Sequence, residues 1–79
     1  SEGVDIIIFT SSSTVNGFVS LLRGDLTRLK NTVIACIGPV TAHSARDDGL
    51  DVDIIANPHT IQGLVGELLV YYSGKEAHD

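Results

Sequence analysis

The stretch that decides the fold of this chain reads Ile6-Ile7-Ile8-Phe9-Thr10-Ser11-Ser12-Ser13-Thr14. Four apolar residues, three of them β-branched, run directly into five hydroxyl residues, and an amphipathic pattern begins at Val15. This order is typical of a buried strand that ends in a polar loop at the start of a helix. In an open parallel α/β sheet, ligands bind just outside the carboxyl ends of the strands, where such loops lie. The stretch is therefore a predicted strand and a candidate binding loop.

A helix is predicted directly after this loop. Its apolar residues recur at i, i+3, i+4 and i+7, which are Val15, Phe18, Val19 and Leu22. Either Ser13 or Thr14 is the predicted N-cap. Gly24 is predicted to end or interrupt the helix, with one more turn over residues 25–29.

Two more strand-helix units follow. Residues 32–37 read as a second buried strand, broken by Gly38-Pro39, and Thr41 is the predicted cap of a short helix that a left-handed Gly49 ends. Residues 52–56 read as a third strand. Thr60 is then the predicted cap of a helix whose apolar face comprises Ile61, Leu64, Val65, Leu68, Leu69 and Tyr72, and residues 73–79 read as a polar tail.

The order β-α-β-α-β-α with short connections predicts a parallel sheet with right-handed crossovers. All three strands read as buried on both faces, so helices are expected above and below the sheet in three layers. Three strands are few for such a sheet. We therefore expect residues 1–79 to be an incomplete part of one α/β domain, with an edge strand supplied by missing sequence or by another chain.

Amino-acid composition restricts the classes of partner that the chain is expected to bind. The 79 residues are 43% hydrophobic, and a chain of this length buries only about 60% of its unfolded surface, so part of the apolar surface is expected to need a partner. A net charge of −5 argues against nucleic acid or an anionic membrane. One cysteine cannot form an internal disulfide, and neither a membrane span nor a signal peptide is evident, so a cytoplasmic protein is expected.

Hydroxyl residues lie at all three predicted strand ends, in residues 10–14, 38–41 and 57–60. In a parallel sheet these loops converge on one edge. Helix N-termini at that edge present unpaired N–H groups and the positive end of the helix dipole, which suits carboxylates or phosphates. The alternative is that each hydroxyl is only a helix cap.

Common catalytic patterns are absent from the sequence. Neither a glycine-rich dinucleotide motif nor a phosphate loop with its lysine is present, and no G-x-S-x-G surrounds the serines. The three histidines lack metal-ligand spacing, and Cys36 lies within a strand, where a buried hydrophobic role is usual, so no metal is expected.

Three weaker features leave alternatives open. His59 could contact an anion or donate a proton, or it could simply be solvated. Of the adjacent Tyr71 and Tyr72, one is expected to face the core and the other solvent or a partner. The acidic residues Asp47, Asp48, Asp51, Asp53 and Glu67 are interpreted as solvated surface charges without a role.

Four segments in this order resemble the C-terminal portion of the uroporphyrinogen-III synthase family. They are DIIIFTSSSTV at residues 5–15, ACIGPVTA at 35–42, Gly49-Leu50, and TIQGLV at 60–65. The resemblance implies an enzyme of tetrapyrrole and haem biosynthesis, a lyase that cyclises hydroxymethylbilane to uroporphyrinogen III with ring inversion and loss of water, without cofactor or metal. It also implies a protein of two flavodoxin-like domains with the substrate in the cleft between them.

By this similarity, the substrate's carboxylates are held by backbone amides and hydroxyls, and the catalytic group is not assigned. The implied contacts are Thr10, Ser11, Ser12, Ser13, Thr14, Gly38, Pro39, Thr41 and Thr60. The chain lacks the family's first domain-length stretch, so it is expected to be a fragment that is inactive alone. The alternative is a non-catalytic α/β module that binds a small anion or pairs with another chain through its incomplete sheet.

Overall fold

The computed structural model of the chain describes residues 5–76, and side chains for residues 5–73. Along the chain, the elements are β1 (Asp5–Phe9), α1 (Ser12–Leu21), a 3-10 helix (Leu26–Leu29), β2 (Thr32–Cys36), α2 (Pro39–Asp47), β3 (Ile54–Ile55) and α3 (Ile61–Glu76). The strands are parallel, in the order β1-β2-β3. The predicted α/β class and element order are confirmed.

Strand β2 lies between the other two strands, and its residues alternate between two layers. Ile34 and Cys36 face α1 and α2, in a core completed by Phe9, Val15, Ala42, Ala45 and Leu50. Val33 and Ala35 face α3, in a second core with Ile54, Ala56 and Leu64. Helices therefore cover both faces of the sheet, and the predicted three-layer arrangement is confirmed.

The sheet is only partly covered on the α3 side. Ile6 and Ile8 are the register partners of Val33 and Ala35, so they lie on the same face. Whereas Val33 and Ala35 are buried, Ile6 and Ile8 remain 43% and 47% exposed. The edge strand β1 thus presents apolar side chains that no described part of the chain fully covers, consistent with an incomplete flavodoxin-like fragment.

Strand β3 is shorter than the predicted residues 52–56. The Asp53 carboxylate accepts the Ile34 N–H at 2.9 Å, while the Asp53 N–H donates to the Ile34 carbonyl, also at 2.9 Å. The Asp53 side chain therefore accepts the Ile34 N–H, which a main-chain carbonyl would accept if β3 paired with β2 from this point. The interpretation of Asp53 as a charge without a role was wrong, because it fixes the start of β3.

Two helices begin earlier than predicted. Ser11 caps α1, so the helix starts at Ser12 and not after Ser13 or Thr14. Helix α2 starts at Pro39 after Gly38, since the first helical position tolerates proline. Thr41 lies inside that first turn and is 5% exposed, so its prediction as the N-cap was wrong.

Helix α3 divides its apolar residues between two environments. Leu64, Leu68, Tyr71 and Tyr72 pack toward the sheet, whereas Ile61, Val65 and Leu69 are exposed. Both tyrosines are half-buried and pack against the second core, so the prediction that one would face the core and the other solvent or a partner was wrong. The helix also continues through Ser73 to Glu76, where a tail was predicted, and residues 77–79 lie outside the described part.

Two backbone features complete the description. Gly49 has a φ of +93°, which confirms the predicted left-handed residue after α2, and the Asn57–Pro58 peptide bond before α3 is cis. No helix between residues 5 and 76 is long and apolar enough to cross a membrane.

Candidate functional site

The three predicted loops meet at the carboxyl edge of the sheet, defined here as residues 10–14, 37–41 and 56–60. The Ile37 N–H donates to the Phe9 carbonyl at 3.0 Å, and the Ala56 N–H donates to the Cys36 carbonyl at 2.9 Å. The ends of β1, β2 and β3 are therefore held side by side. Helix α1 begins at Ser12, α2 at Pro39 and α3 at Ile61, each after a short loop, so three helix N-termini point to this edge.

The hydroxyl run at the start of α1 is largely engaged in local hydrogen bonds. The Ser11 hydroxyl accepts the Thr14 N–H at 3.3 Å, and the Thr14 hydroxyl donates to the Ser11 carbonyl at 2.7 Å. Ser13 Oγ lies 3.2 Å from Ser11 Oγ. Thr10 is exposed, and its hydroxyl makes no hydrogen bond within residues 5–76. Of the five hydroxyls, that of Thr10 is therefore the most available to a ligand.

The hydroxyl of Ser12 serves a tertiary contact. It accepts a hydrogen bond of 2.7 Å from the Ser44 hydroxyl of α2, and the contact is partly buried. Sequence reasoning placed Ser12 among the substrate contacts and missed Ser44, because nothing in the spacing of the two residues indicates that their helices pack together. The pair fixes α1 against α2 beside the carboxyl edge.

The N-terminus of α2 differs from those of α1 and α3. Its N-cap residue is Gly38, which has no side chain to accept a hydrogen bond, and Pro39 has no N–H to donate. The N–H groups of Val40 and Thr41 are consequently left without a side-chain partner. Unpaired N–H groups in a first helical turn are suited to bind an anion.

The start of α3 is held by three interactions around Thr60. Its hydroxyl accepts the Gly63 N–H at 3.0 Å, which confirms the predicted N-cap. Its own N–H donates to the Pro58 carbonyl at 2.8 Å, and the Gly63 α-carbon packs directly against the same carbonyl. These interactions therefore hold the backbone of residues 58–60 in place at the start of α3.

His59 lies in this loop, with its imidazole against the backbone of Gly38. A β-carbon built on Gly38 would lie 3.4 Å from His59 Cγ and 3.6 Å from His59 Nδ1. The third loop is thereby packed on the second at the point where α2 begins. His59 is exposed to solvent at this position.

Charge is distributed unevenly between the two edges of the sheet. The three segments of the carboxyl edge contain no Asp, Glu, Lys or Arg. By contrast, charged residues of both signs lie toward the opposite edge, before the strands or at the end of α2: Asp25, Arg28, Lys30, Arg46, Asp47, Asp48, Asp51 and Asp53. No acidic side chain therefore lies within the three segments of the carboxyl edge, where the helix dipoles favour an anion.

Other features that could support catalysis or binding are buried or lie away from the carboxyl edge. Burial raises the pKa of the Cys36 thiol, an effect that Arg46 partly offsets, so this cysteine is not activated as a nucleophile. Within the described residues, no three His, Cys, Asp or Glu side chains come together to hold a metal ion. A cavity of about 300 Å³ lies at the opposite edge, lined by residues that include Leu29, Lys30, Leu50 and Asp53.

Comparisons with known proteins agree with the resemblance seen in the motifs. The family model "Uroporphyrinogen-III synthase HemD" matches residues 1–66, which contain all three segments of the carboxyl edge. A curated "Putative uroporphyrinogen-III synthase" of Methanothermobacter thermautotrophicus is 38% identical over 65 residues. Those residues are 81% of this chain and 26% of the relative, so the chain spans about a quarter of the relative's length. No solved structure gives a significant match. The chain therefore belongs to the uroporphyrinogen-III synthase family.

Proposed function

We propose that this chain is part of a uroporphyrinogen-III synthase, in which its carboxyl edge forms one wall of the substrate cleft. The enzyme cyclises hydroxymethylbilane, a flexible linear polycarboxylate, to uroporphyrinogen III with inversion of the terminal ring and loss of water. Family membership supports the assignment, and the chain's coverage of 26% of its relative supports a role as one part of a longer enzyme. The 79 residues alone are expected to be inactive.

One observation carries the proposal. The carboxyl edge combines three helix N-termini with hydroxyl groups and contains no acidic side chain. A polycarboxylate can be held there by N–H and O–H donors alone, which suits a chain of net charge −5. The Val40 N–H, in a residue that is 75% exposed, and the Thr10 hydroxyl are the donors that the fold leaves most available.

The reaction is consistent with a site that lacks a catalytic triad. Holding a flexible chain with its two ends in a reactive arrangement converts an improbable encounter into an oriented one, and this can supply much of a rate enhancement. In the proposed site, each carboxylate fixed by an N–H or O–H donor removes conformational freedom from the substrate. Among the predicted contacts, Ser11, Ser12, Thr14 and Thr60 also shape the loops through their own hydrogen bonds.

The partner proposed for the incomplete sheet is the remainder of the enzyme. The outer edge of β1 and the exposed Ile6 and Ile8 form a continuous apolar margin beside the buried Val33 and Ala35. A further strand placed along β1 would complete main-chain hydrogen bonding and cover these side chains. The exposed Ile61, Val65 and Leu69 of α3 lie in the layer on the same face of the sheet.

The product isomer tests the proposed activity. The complete polypeptide carrying this sequence is incubated with hydroxymethylbilane, and the product is separated into type I and type III uroporphyrinogen. We expect the type III isomer, whereas bilane alone cyclises spontaneously to type I. Exclusive formation of type I by the folded polypeptide would overturn the proposal. Binding of uroporphyrinogen without turnover would instead favour the non-catalytic anion-binding module.

A further inference from the structure

We infer that an amphipathic helix from the remainder of the polypeptide packs into the corner between β1 and α3. This β1/α3 corner is lined by exposed apolar side chains, namely Ile6 and Ile8 on the sheet and Ile61, Val65 and Leu69 on the helix. The inference rests on the proposed function, in which this chain is one part of a longer enzyme. It adds a helical layer to the strand proposed along β1 and specifies where that helix lies and in which direction it runs.

The sheet side of the β1/α3 corner lacks a covering helix. Within residues 5–76, α3 is the one helix on this face, and it packs on β2 and β3 through Val33, Ala35 and Ile54. Neighbouring helices pack about 8–10 Å apart, which is the width of about two strands. A second helix in the α3 layer would therefore lie over β1 and the strand added beside it, where Ile6 and Ile8 are exposed.

Helix α3 supplies the other wall of the corner. Leu64 and Leu68 point toward the sheet, and residues four positions apart lie on one side of a helix. Ile61, Val65 and Leu69 therefore form a stripe on the adjoining flank, where they are 58%, 50% and 66% exposed. Because α3 is right-handed and runs antiparallel to the strands, this flank faces the space over β1. A ridge of side chains with this spacing packs into the groove of a neighbouring helix.

The hand of the connections specifies what a helix in the corner joins. A crossover between parallel strands is right-handed in about 98% of cases. Helices α1 and α2 lie together on one face and carry the chain from β1 through β2 to β3. A right-handed crossover on the opposite face therefore advances the other way, toward β1 and beyond it. The helix in the corner and the strand along β1 thus belong to one strand-helix unit, and the helix runs parallel to α3.

The relative indicates that a complete polypeptide is long enough to supply this unit. The matched residues make up 26% of the relative, so 74% of it lies outside the match. A strand-helix-strand unit requires only about 30 residues. The corner is also continuous with the second core, because Ile6 and Ile8 pair in register with Val33 and Ala35. A helix from the same polypeptide would therefore extend an existing core.

The test uses two valines of α3 as a matched pair. Val65 lies in the corner and is 50% exposed, whereas Val70 lies on the side of the helix away from the sheet and is 67% exposed. Each is replaced by cysteine in the complete polypeptide, and its reaction with a soluble thiol reagent is timed against the wild type, in which Cys36 is buried. We expect Val65→Cys to react at least about tenfold more slowly than Val70→Cys, because a covered thiol is reached only by local opening. Ile8→Cys should be protected to a similar extent.

A photo-crosslinking side chain identifies the occupant. Leu69, at the outer end of the stripe, is replaced by p-benzoylphenylalanine in the complete polypeptide, and the linked peptides are mapped by mass spectrometry. We expect links within one polypeptide, to residues outside these 79 that are three or four positions apart, as on one side of a helix. Links between two polypeptides, with protection of Val65→Cys that is lost on dilution, would assign the corner to a second copy and overturn the inference.

The outcomes separate this inference from the proposed function. Equal reaction rates of Val65→Cys and Val70→Cys, in a polypeptide that forms the type III isomer, would overturn the helix and leave the proposed function intact. Protection of Val65→Cys with helically spaced links, in a polypeptide that forms only the type I isomer, would support the helix and overturn the proposed function. Thermal unfolding of each variant ensures that folded proteins are compared.

Discussion

The Ser44 hydroxyl of α2 donates a 2.7 Å hydrogen bond to the Ser12 hydroxyl in the first turn of α1. The two residues are 32 positions apart, and their contact is partly buried. It joins the two helices that cover one face of the sheet, at the end where α1 begins. A residue in the predicted binding loop thus contributes to the tertiary structure on which that loop depends.

Removing this bond should reduce stability. We expect Ser12→Ala and Ser44→Ala each to lower the free energy of unfolding by about 1 kcal/mol, because either change leaves a partly buried hydroxyl without its partner. The double variant should cost less than the sum of the two, with a coupling of about 0.5 kcal/mol or more. Urea unfolding measures all three, and the exposed Ser20→Ala on α1 is the control. Strict additivity would show that the bond contributes nothing.

The contrast between Ser12 and Thr60 shows what could be predicted from the sequence. Thr60 was correctly predicted as an N-cap, because a cap and its helix are neighbours in sequence and local hydrogen bonding decides both. The positions of the strands were also predictable, since β-branched apolar runs such as residues 6–8 and 32–34 are typical of strands in a parallel sheet. Interactions between distant residues, such as Ser12 with Ser44 or Ile34 with Asp53, leave no periodic signal.

The difference between local interactions and interactions of distant residues also explains which helix boundaries and which features of the site could be predicted. Thr41 was predicted as the N-cap of α2 because threonine is a common cap, yet packing buries Thr41 and the helix begins at Pro39. Convergence of the three loops on one edge followed from the topology and could be predicted. The position of His59 on Gly38 could not, since it depends on how the third loop folds over the second.

The two glycines of α3 should respond oppositely to alanine. A β-carbon on Gly63 would collide with the backbone of Pro58, whereas one on Gly66 would meet no atom within 4 Å. Helix propensity alone favours alanine at both positions by up to about 1 kcal/mol. We therefore expect Gly66→Ala to stabilise the fold and Gly63→Ala to destabilise it by about 2 kcal/mol. Chemical denaturation provides the measurement, and stabilisation by Gly63→Ala would contradict the observed packing.

The exposed apolar side chains of β1 predict that the stability cost of a substitution there depends on whether the remainder of the enzyme covers the strand. If the remainder of the enzyme covers Ile8, then Ile8→Thr in the complete polypeptide should cost roughly 2 kcal/mol, the value for a buried isoleucine, although Ile8 is 47% exposed here. Leu21→Gln, at a position 85% exposed on α1, should cost less than about 0.5 kcal/mol. Equal, small effects of the two substitutions would show that the margin stays open to solvent.

Thr60 provides the sharpest separation between a structural and a functional role in the predicted site. Its hydroxyl oxygen accepts the Gly63 N–H, but the hydroxyl proton remains available to a carboxylate. Thr60→Val removes both functions, and we expect a loss of about 1 kcal/mol in stability together with a larger loss in kcat/KM for the bilane. Thr60→Ser retains the hydroxyl and should preserve both properties. Measured well below the unfolding temperature, where the stability loss leaves the protein folded, an unchanged kcat/KM in Thr60→Val would show that the hydroxyl acts only as a helix cap.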